Sequence, residues 1–525
     1  MDFSNRFIKS ELNRTIQVGL LALALVIGWF WLLHDAGLNL GDEGYLWHNA
    51  QRILEGNVPI RDFRSYDPGR YYWSAIWLAW LGPGLLSLRI SLAAFQFLGL
   101  FAGIFAIRRV VRSWWALLLS GMIILLWMYP RHKVFEISLA MIAVLIATRL
   151  IEKPTARMHV IAGILVGLSA FFARNFGVYF GISFLAIIFF LENTPNWQQK
   201  IVNCGVWILG VLIGYSPMIF MWVFIPDFFR DFLDSVVRLF TPYTKFQPLP
   251  VPWPWTMSGV LQQPQLWASF FLGLSYFWLY SFYFLGFLII CRYKHRCVPL
   301  FSAAILVGIP LLHHASGRAD FPHFSQSIYP ALAGLLTGYP LIDNVRWGKS
   351  WRWTGIAILS MLFLLLTQSS NEIYSGIEKT KIILNRPSYF VSYLLMEGNT
   401  IWLPQGQAEY ISGLEECLKA DMIPGINIFI APYDTGLYPV WQTTSPIWDA
   451  FPIHKASKAE EEMEIEQLKA HQVQWALISD MPLDDIQERR FSVSHPLIWQ
   501  YLLEKFKPVN CQALSAKQWL FRAKP

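Results

Sequence analysis

The chain has 525 residues, of which 55% are hydrophobic and only 15% are charged, whereas soluble proteins average about 25% charged residues. This composition excludes a soluble globular protein over most of the length. The formal net charge of +7 does not indicate a nucleic-acid partner, because membrane proteins collect Lys and Arg in their cytoplasmic loops. Aromatic residues reach 16%, and such residues favour membrane–water interfaces.

Apolar stretches recur over the first 370 residues. A spanning helix needs about 20 apolar residues to cross a hydrocarbon core of about 30 Å. About eleven stretches are candidates: 17–34, 85–107, 113–129, 134–151, 158–173, 176–191, 201–225, 266–290, 298–312, 324–342 and 353–369. The first is interpreted as an uncleaved signal anchor, because no small-residue cleavage site follows it. The sequence therefore predicts a polytopic α-helical membrane domain over residues 1–369.

Residues 158–191 decide the orientation of everything that follows them. Arg174 and Asn175 divide this segment into two short pieces, which are either two helices meeting at a polar bend or one broken helix. With two helices, Lys and Arg concentrate in the loops on the N-terminal side. The positive-inside rule then predicts a multi-pass protein of the plasma (inner) membrane with a cytoplasmic N-terminus and an extracytoplasmic C-terminal region.

The loop after the first span predicts two helices lying at the membrane surface. The first follows Asp42, places Leu46, Trp47 and Ala50 on one face with Ile53 and Leu54, and ends at Gly56. The second begins at Asp67-Pro68, an N-cap followed by proline, and runs to Gly82. The later loop 226–265 contains another amphipathic segment.

Residues 370–525 have the mixed composition of a small α/β domain, predicted to be extracytoplasmic. Helices are expected over 405–420, 455–472 and 495–506, and strands over 426–432, 473–480 and 518–523. The acidic run AEEEMEIE is interpreted as a solvated helix face. Cys417 and Cys511 could form a disulfide if this domain is exported, whereas Cys291 and Cys297 bracket a basic cytoplasmic loop and should stay reduced.

Four polar clusters interrupt the apolar sequence, and the predicted topology places all four on the outer side. They are Asp42 with Glu43, Arg131-His132-Lys133 with Glu136, Arg174 with Asn175, and His313-His314 through Arg318, Asp320 and His323. Ionisable groups at a membrane boundary are costly unless they are paired or functional. Their shared side therefore predicts one outward-facing site.

Each cluster also has a structural interpretation. Asp42 could be the N-cap of the helix after it, and Arg131 and Lys133 could anchor a span boundary. The histidines with Asp320 resemble metal ligands, but their spacing matches no zinc signature. No metal site and no cofactor are predicted, although a divalent metal stays open.

The segment GDEGYLWHNAQRILEGNVPIRDFRSYDPGRYYW resembles the first external loop of C-class (GT-C) glycosyltransferases, which use polyprenyl-phosphate sugars. The relatives are protein O-mannosyltransferases, the lipid A aminoarabinose transferase and bacterial family 39-like proteins. The pattern GxxPxxDFxxxxPGxYY, typical of the last group, is made here by Gly56, Pro59, Asp62, Phe63, Pro68, Gly69, Tyr71 and Tyr72. GRADFPHFSQSIYPAL and IFIAPYDTGLYPVWQTTSP resemble later segments of the same group. Asp67 stands where such loops commonly have a first proline.

The resemblance implies a transferase that moves a sugar from a polyprenyl phosphate to an acceptor hydroxyl on a glycan, lipid or protein, with inversion. It implies that Asp42 is the general base and that Glu43 supports it. The cations expected at the donor phosphate are Arg131, Lys133, Arg174 and Arg318. The residues expected to support the substrate site are Asp62, Arg70, Tyr71, His132, Asp320 and His323.

Two other functions remain open for the sequence. A transporter or flippase for lipid-linked saccharides would place its site near the bilayer midplane between internal repeats, and no repeat is visible here. A polymerase or ligase of another membrane class would also use outward-facing Arg and His. The acidic pair after the first span favours the transferase.

Overall fold

The computed structural model describes residues 2–193, 196–241, 248–260, 263, 266–337, 341, 390–419, 421 and 425–525. The helices of the first 337 residues are α1 Asp2–Leu33, α2 Asp42–Leu54, α3 Gly69–Leu81, α4 Leu85–Ile107, α5 Trp114–Trp127, α6 Val134–Glu152, α7 Ala156–Phe172, α8 Arg174–Ala186, α9 Trp197–Gly214, α10 Ser216–Phe224, α11 Phe228–Arg238, α12 Trp267–Tyr293, α13 Pro299–Gly317, α14 Phe321–Ser327 and α15 Tyr329–Thr337. A π-helical turn, Ile187–Leu191, continues α8.

Within the described residues, six helical segments are long and apolar enough to cross a membrane. They are Leu12–Leu33, Leu85–Ile107, Arg131–Glu152, Arg174–Leu191, Trp267–Arg296 and Pro299–Gly317. The pair α9 and α10, bent by 56°, raises the number to seven if it is one span. The predicted count of eleven is therefore not confirmed. The stretches 113–129 and 158–173 form helices shorter than 18 residues, and 353–369 lies outside the described residues.

The chain divides into two compact units. Unit 1 comprises residues 1–32, 92–220 and 248–378, and unit 2 comprises 33–91, 221–247 and 379–525. Unit 2 therefore joins the first loop and part of the second to the C-terminal residues. The predicted domain boundary at 369/370 falls outside the described residues and stays a prediction.

In unit 1, residues 158–191 form two helices, as predicted from Arg174 and Asn175. The chain leaves the helical conformation at Ala173, with φ −159° and ψ 98°, and α8 begins at the next residue. Gly177 on α8 faces Ala170 on α7 so closely that a Cβ at position 177 would overlap it. The polar break is thus a turn between two packed helices.

Helices α7 and α9 of unit 1 pack backbone against backbone. Gly163 and Gly167 on α7 face Gly210 and Gly214 on α9, and a Cβ on any of the four would overlap carbonyl or amide atoms of the other helix. Both pairs have the GxxxG spacing that lets membrane helices approach closely. The GxxxG spacing is visible in the sequence, but the contact between α7 and α9 was not predicted from it.

The C-terminal part of unit 2 is a small α/β fold, as expected. Its elements are β1 Phe390–Leu394, β2 Thr400–Pro404, α16 Gln405–Cys417, β3 Ile428–Ala431, α17 Leu437–Val440, α18 Lys458–Ala470, β4 Trp475–Ser479, α19 Phe491–Ser494, α20 Pro496–Lys505, β5 Phe506–Val509 and β6 Gln518–Ala523. The four-stranded sheet has the order β3-β4-β6-β5, in which only β3 and β4 are parallel. The hairpin of β1 and β2 and the strand β5 were not predicted.

The acidic run on α18 is not simply a solvated face, so that interpretation is wrong for two of its residues. Glu461 and Glu464 are buried. The Glu461 carboxylate accepts hydrogen bonds from the amides of Leu497 (2.7 Å) and Ile498 (3.0 Å) at the start of α20. A carboxylate is favourable there because the first amides of a helix have no partner within it. Tertiary packing therefore buries two charged residues that the sequence alone places on an exposed helix face.

Cys417 and Cys511 form a disulfide in unit 2, with their Cα atoms 5.8 Å apart. The disulfide joins the end of α16 to the segment before β6. The two cysteines are 94 positions apart in the sequence. Cys204, Cys291 and Cys297 are free thiols. The disulfide was an open possibility from the sequence, and the fold brings the two residues together.

Candidate functional site

Asp42 is the first residue of α2 and is half-buried. The N-cap position is Gly41, and no side chain caps this end, so the structural interpretation of Asp42 as the N-cap is wrong. The helix N-terminus favours a carboxylate here because its first amides carry partial positive charge.

Glu43 is buried and forms a two-point ion pair with Arg89, the fifth residue of α4. Arg89 Nε lies 3.1 Å from Glu43 Oε1, and Nη2 lies 3.1 Å from Oε2. Arg89 also donates to the backbone oxygens of His34 (2.6 Å) and Gly37. One buried guanidinium therefore ties the start of α2 to the loop before it, which fits the supporting role predicted for Glu43. Sequence reasoning missed Arg89.

The loop that leads to Asp42 is also held by C-terminal segments of unit 2. Gly37 N–H donates to Trp402 O (2.6 Å), and Trp402 N–H donates to Asp35 O (2.7 Å). Gln407 Nε2 donates to Leu38 O at 2.7 Å. The backbone before α2 is thus fixed on β2 and α16, so Asp42 projects from a rigid base.

Two glycines, Gly44 of α2 and Gly436 of the C-terminal segment, let the two backbones approach closely. A Cβ on Gly44 would overlap the backbone of Gly436. Gly436 N–H donates to Leu40 O at 2.6 Å, and the Tyr438 ring stacks on His48 with centroids 5.0 Å apart. Burial lowers the pKa of His48 to about 3, so this imidazole is neutral. The resemblance in IFIAPYDTGLYPVW therefore falls on a segment that packs against α2.

The remaining predicted residues of the first loop have mainly architectural contacts. The Asp62 carboxylate accepts from Arg61 Nε and Nη2 (2.9 Å each) and from Val58 N–H (2.7 Å). Burial opposes ionisation of Asp62, but these hydrogen bonds outweigh it and lower the pKa. Tyr71 is buried, accepts from Tyr66 N–H at 3.1 Å, and has a pKa raised by burial.

Arg70 is buried, and its guanidinium lies over the Tyr66 ring, 5.2 Å from the centroid. Of its neighbours, Tyr71 packs its ring against Tyr45 of α2, with centroids 6.3 Å apart. The GxxPxxDF pattern itself shapes the turn: Gly56 has φ +89°, which ends α2, and Phe63 is fully buried. The residue types at positions 56 and 63 are thus explained by the backbone conformation and by burial.

The predicted donor-phosphate residues Arg131 and Lys133 lie in unit 1 in a single 3₁₀ turn, Arg131–Lys133, just before α6. His132 between them is buried. Tyr129, two residues before this turn, packs on the start of α14, since the centroids of the Tyr129 and Phe321 rings are 5.7 Å apart. This turn therefore lies at the same end of unit 1 as the start of α14.

Arg174 begins α8, and its neighbour Asn175 reaches His314 on α13, 3.4 Å between Nδ2 and Nδ1. The His314 ring lies 5.1 Å from that of His323, and His323 Nδ1 lies 2.6 Å from Asp320 Oδ1. Two of the polar clusters predicted from the sequence therefore meet at one end of unit 1.

Two of the predicted residues in this cluster have structural partners. Asp320 is the N-cap of α14, accepting from His323 N–H at 2.9 Å, and it pairs with Arg318 at 2.8 Å. Burial raises the pKa of Asp320, but the contacts with His323 outweigh burial and lower it. The Arg318 charge is therefore partly neutralised by Asp320.

The acidic pair belongs to unit 2 and the four cations belong to unit 1. Within each unit the predicted residues come together as described, and their joining in one site stays a prediction. No three His, Cys, Asp or Glu side chains in the described ranges are grouped so that they could hold a metal ion.

No protein-family model matches the chain, and no curated protein matches it. Among the solved structures that match is the crystal structure of ArnT from Cupriavidus metallidurans in the apo state. The two chains are 13% identical with a TM-score of 0.56, and the match covers 98% of this chain and 100% of that one. The chain has the fold of ArnT.

The ArnT fold agrees with the resemblance to C-class glycosyltransferases, so the predicted fold class is confirmed. The ArnT fold and the six apolar helices together make the chain a multi-pass membrane protein. At this level of identity the similarity extends to the fold and not to the substrates.

Proposed function

We propose that this protein is a glycosyltransferase that moves a sugar from a polyprenyl-phosphate donor to an acceptor hydroxyl on the extracytoplasmic side of the membrane. The observation that carries the proposal is the placement of Asp42. This half-buried carboxylate begins α2 in a loop fixed by Arg89 and by C-terminal backbone. A preorganised base of this kind is what attack by a hydroxyl needs. The ArnT fold and the acidic pair support the same class of enzyme.

The transfer is a single displacement. Asp42 takes the proton of the acceptor hydroxyl while that oxygen bonds to the anomeric carbon. The bond from this carbon to the phosphate oxygen breaks, its electron pair leaves with the polyprenyl phosphate, and the configuration inverts. The proposed ligands of the phosphate are Arg131, Lys133, Arg174 and Arg318, because charge-assisted bonds to phosphate are stronger than neutral ones. Glu43 keeps Asp42 in place through Arg89.

The decisive variant is Asp42→Asn. The amide cannot take a proton, and loss of a general base costs about 10²–10⁴-fold in rate. Because Asp42 is not the N-cap, the variant should accumulate and unfold like the wild type. The measurement is transfer of sugar from polyprenyl-phosphate donors by the purified protein in nanodiscs.

Asp234→Asn is the matched control, since Asp234 is an exposed residue of α11 in the same unit. It should retain the wild-type rate. Equal rates for Asp42→Asn and the wild type would rule out Asp42 as the base. Movement of lipid-linked saccharide across proteoliposomes without any transfer would favour the flippase instead.

A further inference from the structure

A pocket of about 280 Å³ lies in unit 2 beside the C-terminal end of α2, and the transfer step as proposed does not use it. Small-ligand pockets occupy about 300–1,000 Å³, so this one suits a ligand of about one sugar ring. Its polar lining comes from the α2 region and from the C-terminal segment, and it includes Arg52, Glu55, Asp62, Thr444, Gln467 and His471.

Arg52 supplies the pocket with a guanidinium whose bonding is incomplete. Its Nη2 donates to Asp62 O (3.1 Å) and to Asn57 Oδ1 (3.4 Å), and the group lies over the Phe63 ring, 4.9 Å from the centroid. Its Nη1 is buried and has no acceptor among the residues that the structure describes. Buried donors in native proteins are normally satisfied. A turn of the guanidinium toward the pocket would let an oxygen of a bound ligand supply the missing acceptor.

The opposite wall adds further hydrogen-bonding groups. The Gln467 side-chain oxygen accepts from Trp448 N–H at 2.8 Å, so its amide nitrogen is the end left to donate. Thr444 contributes an exposed hydroxyl, which both donates and accepts. Glu55 contributes a carboxyl group whose pKa is raised by burial. The lining therefore offers both donors and acceptors.

The charges of the lining do not favour an anionic ligand. Asp62 is already paired with Arg61, and the Arg52 guanidinium shares the pocket with the Glu55 carboxyl group, so a phosphate or nucleotide would meet the Glu55 carboxylate with little net attraction to offset the repulsion. A neutral polyhydroxylated ring avoids that repulsion and offers a donor and an acceptor at each hydroxyl.

We infer that this pocket binds a neutral sugar residue of the acceptor, and hence that the acceptor is a glycan chain. The acceptor role rests on the proposed function, whereas binding of a saccharide does not. Arg52 and Asp42 lie on the same helix, about 15 Å apart at 1.5 Å per residue. A glycan held in the pocket by one residue would therefore present a sugar further along the chain to Asp42.

The test compares Thr444→Trp, which fills the pocket, with Thr400→Trp, which adds the same bulk at an exposed position on β2 of the same unit. Both substitutions replace an exposed residue, and thermal unfolding verifies that both variants fold. The full-length protein in nanodiscs is probed by saturation-transfer NMR with methyl α-mannoside, methyl α-glucoside, methyl β-galactoside and maltotriose. Glucose 1-phosphate is the charged comparator.

We expect the wild type and Thr400→Trp to bind at least one neutral probe and to prefer it to glucose 1-phosphate. Thr444→Trp should bind that probe about tenfold more weakly. Equal binding by the two variants, preference for the phosphate, or no binding of any neutral probe by the wild type would overturn the inference. With a glycan acceptor, Thr444→Trp should raise the acceptor KM and leave the donor KM unchanged.

The two proposals fail in different ways. Saccharide binding that is blocked by Thr444→Trp, in a protein that transfers no sugar, would overturn the proposed function and leave the sugar site standing. Sugar transfer with an acceptor KM that Thr444→Trp does not change would overturn the acceptor site and leave the transferase standing.

Discussion

At the scale of single residues, the two members of the acidic pair after the first span, Asp42 and Glu43, have different environments. Asp42 is half-buried at the start of α2, while Glu43 is buried in an ion pair with Arg89. The sequence indicates the pair, because two adjacent acids follow an apolar stretch. It does not indicate Arg89, which stands inside the apolar run LLSLRISL. Only the fold brings together residues 46 positions apart.

We expect Arg89→Met to destabilise the protein strongly and to reduce transfer. Removing one partner of a buried ion pair leaves an uncompensated charge and costs about 3–5 kcal/mol. The Glu43→Gln/Arg89→Met double variant should cost less than the sum of the single variants, because it removes both charges. Denaturant unfolding and transfer rates of the four proteins measure this coupling.

Arg61→Met is the control for this cycle, since the Arg61–Asp62 pair is about one-third exposed and such pairs contribute about 0–1 kcal/mol. If the double variant costs as much as the two single variants added together, Glu43 and Arg89 act independently and the positioning role is wrong.

At the scale of helices and strands, local periodicity predicts most elements and misses how they pack. The strands β3, β4 and β6 and the helices α16, α18 and α20 lie within the predicted segments, because each repeats its apolar residues with its own period. The same sequence did not reveal that Glu461 of α18 binds the start of α20. Charge alone does not tell which face of a helix a neighbour will cover.

The contact between α7 and α9 gives a test within one helix. Gly214→Val should disrupt it, because a side chain there meets the backbone of Ile164. Overpacking of this kind typically costs about 1–3 kcal/mol, and more when backbone must move. We expect a lower thermal midpoint in detergent and lower yield in the membrane.

Gly205→Val is the control on the same helix, since a Cβ at position 205 meets nothing within 4 Å. Valine has a slightly better helix propensity than glycine, so this variant should keep a thermal midpoint near or slightly above that of wild type. Equal effects of the two substitutions would mean that α7 and α9 do not depend on the glycine contact.

At the scale of the whole molecule, buried histidines in unit 2 predict sensitivity to acid. Burial lowers the pKa of His454 to about 3 and that of His495 to about 4, from an ordinary value of 6.5. The unfolded chain therefore binds more protons than the folded chain below about pH 6.5. Stability should fall by about 1.4 kcal/mol per pH unit for each imidazole as the pH drops from about 6.5 towards about 4.

His454→Asn/His495→Asn should make this dependence less steep, whatever the two substitutions cost at neutral pH, while His48, whose pKa is also lowered by burial, keeps its own contribution. The charged and titratable groups facing His454 are Arg64, Asp449, Arg238 and His495, and of these only His495 is changed in the variant. Thermal midpoints between about pH 4.5 and about pH 7 measure the slope. His471→Asn, at an exposed position, is the control. A slope as steep in the double variant as in the wild type would assign the acid sensitivity to other groups.

Orientation is the second prediction at this scale. The positive-inside bias and the Cys417–Cys511 disulfide both favour a C-terminal region outside the cytoplasm, because disulfides persist in oxidising compartments. An alkaline phosphatase fusion after residue 370 should be active, and a cytoplasmic reporter at the same point should be silent. The reverse pattern would place unit 2 inside and separate Asp42 from any extracytoplasmic acceptor.

The sequence by itself determined that this is a polytopic membrane protein with a mixed α/β C-terminal part, because apolar length and periodicity are local properties of a chain. It also identified the acidic pair and the polar break at Arg174. The tertiary structure decided that the first loop and the C-terminal residues form one unit, that Arg89 holds Glu43, and that α2 borders a pocket. These features join residues tens to hundreds of positions apart, and no local pattern encodes which distant side chains will meet when apolar surfaces are buried.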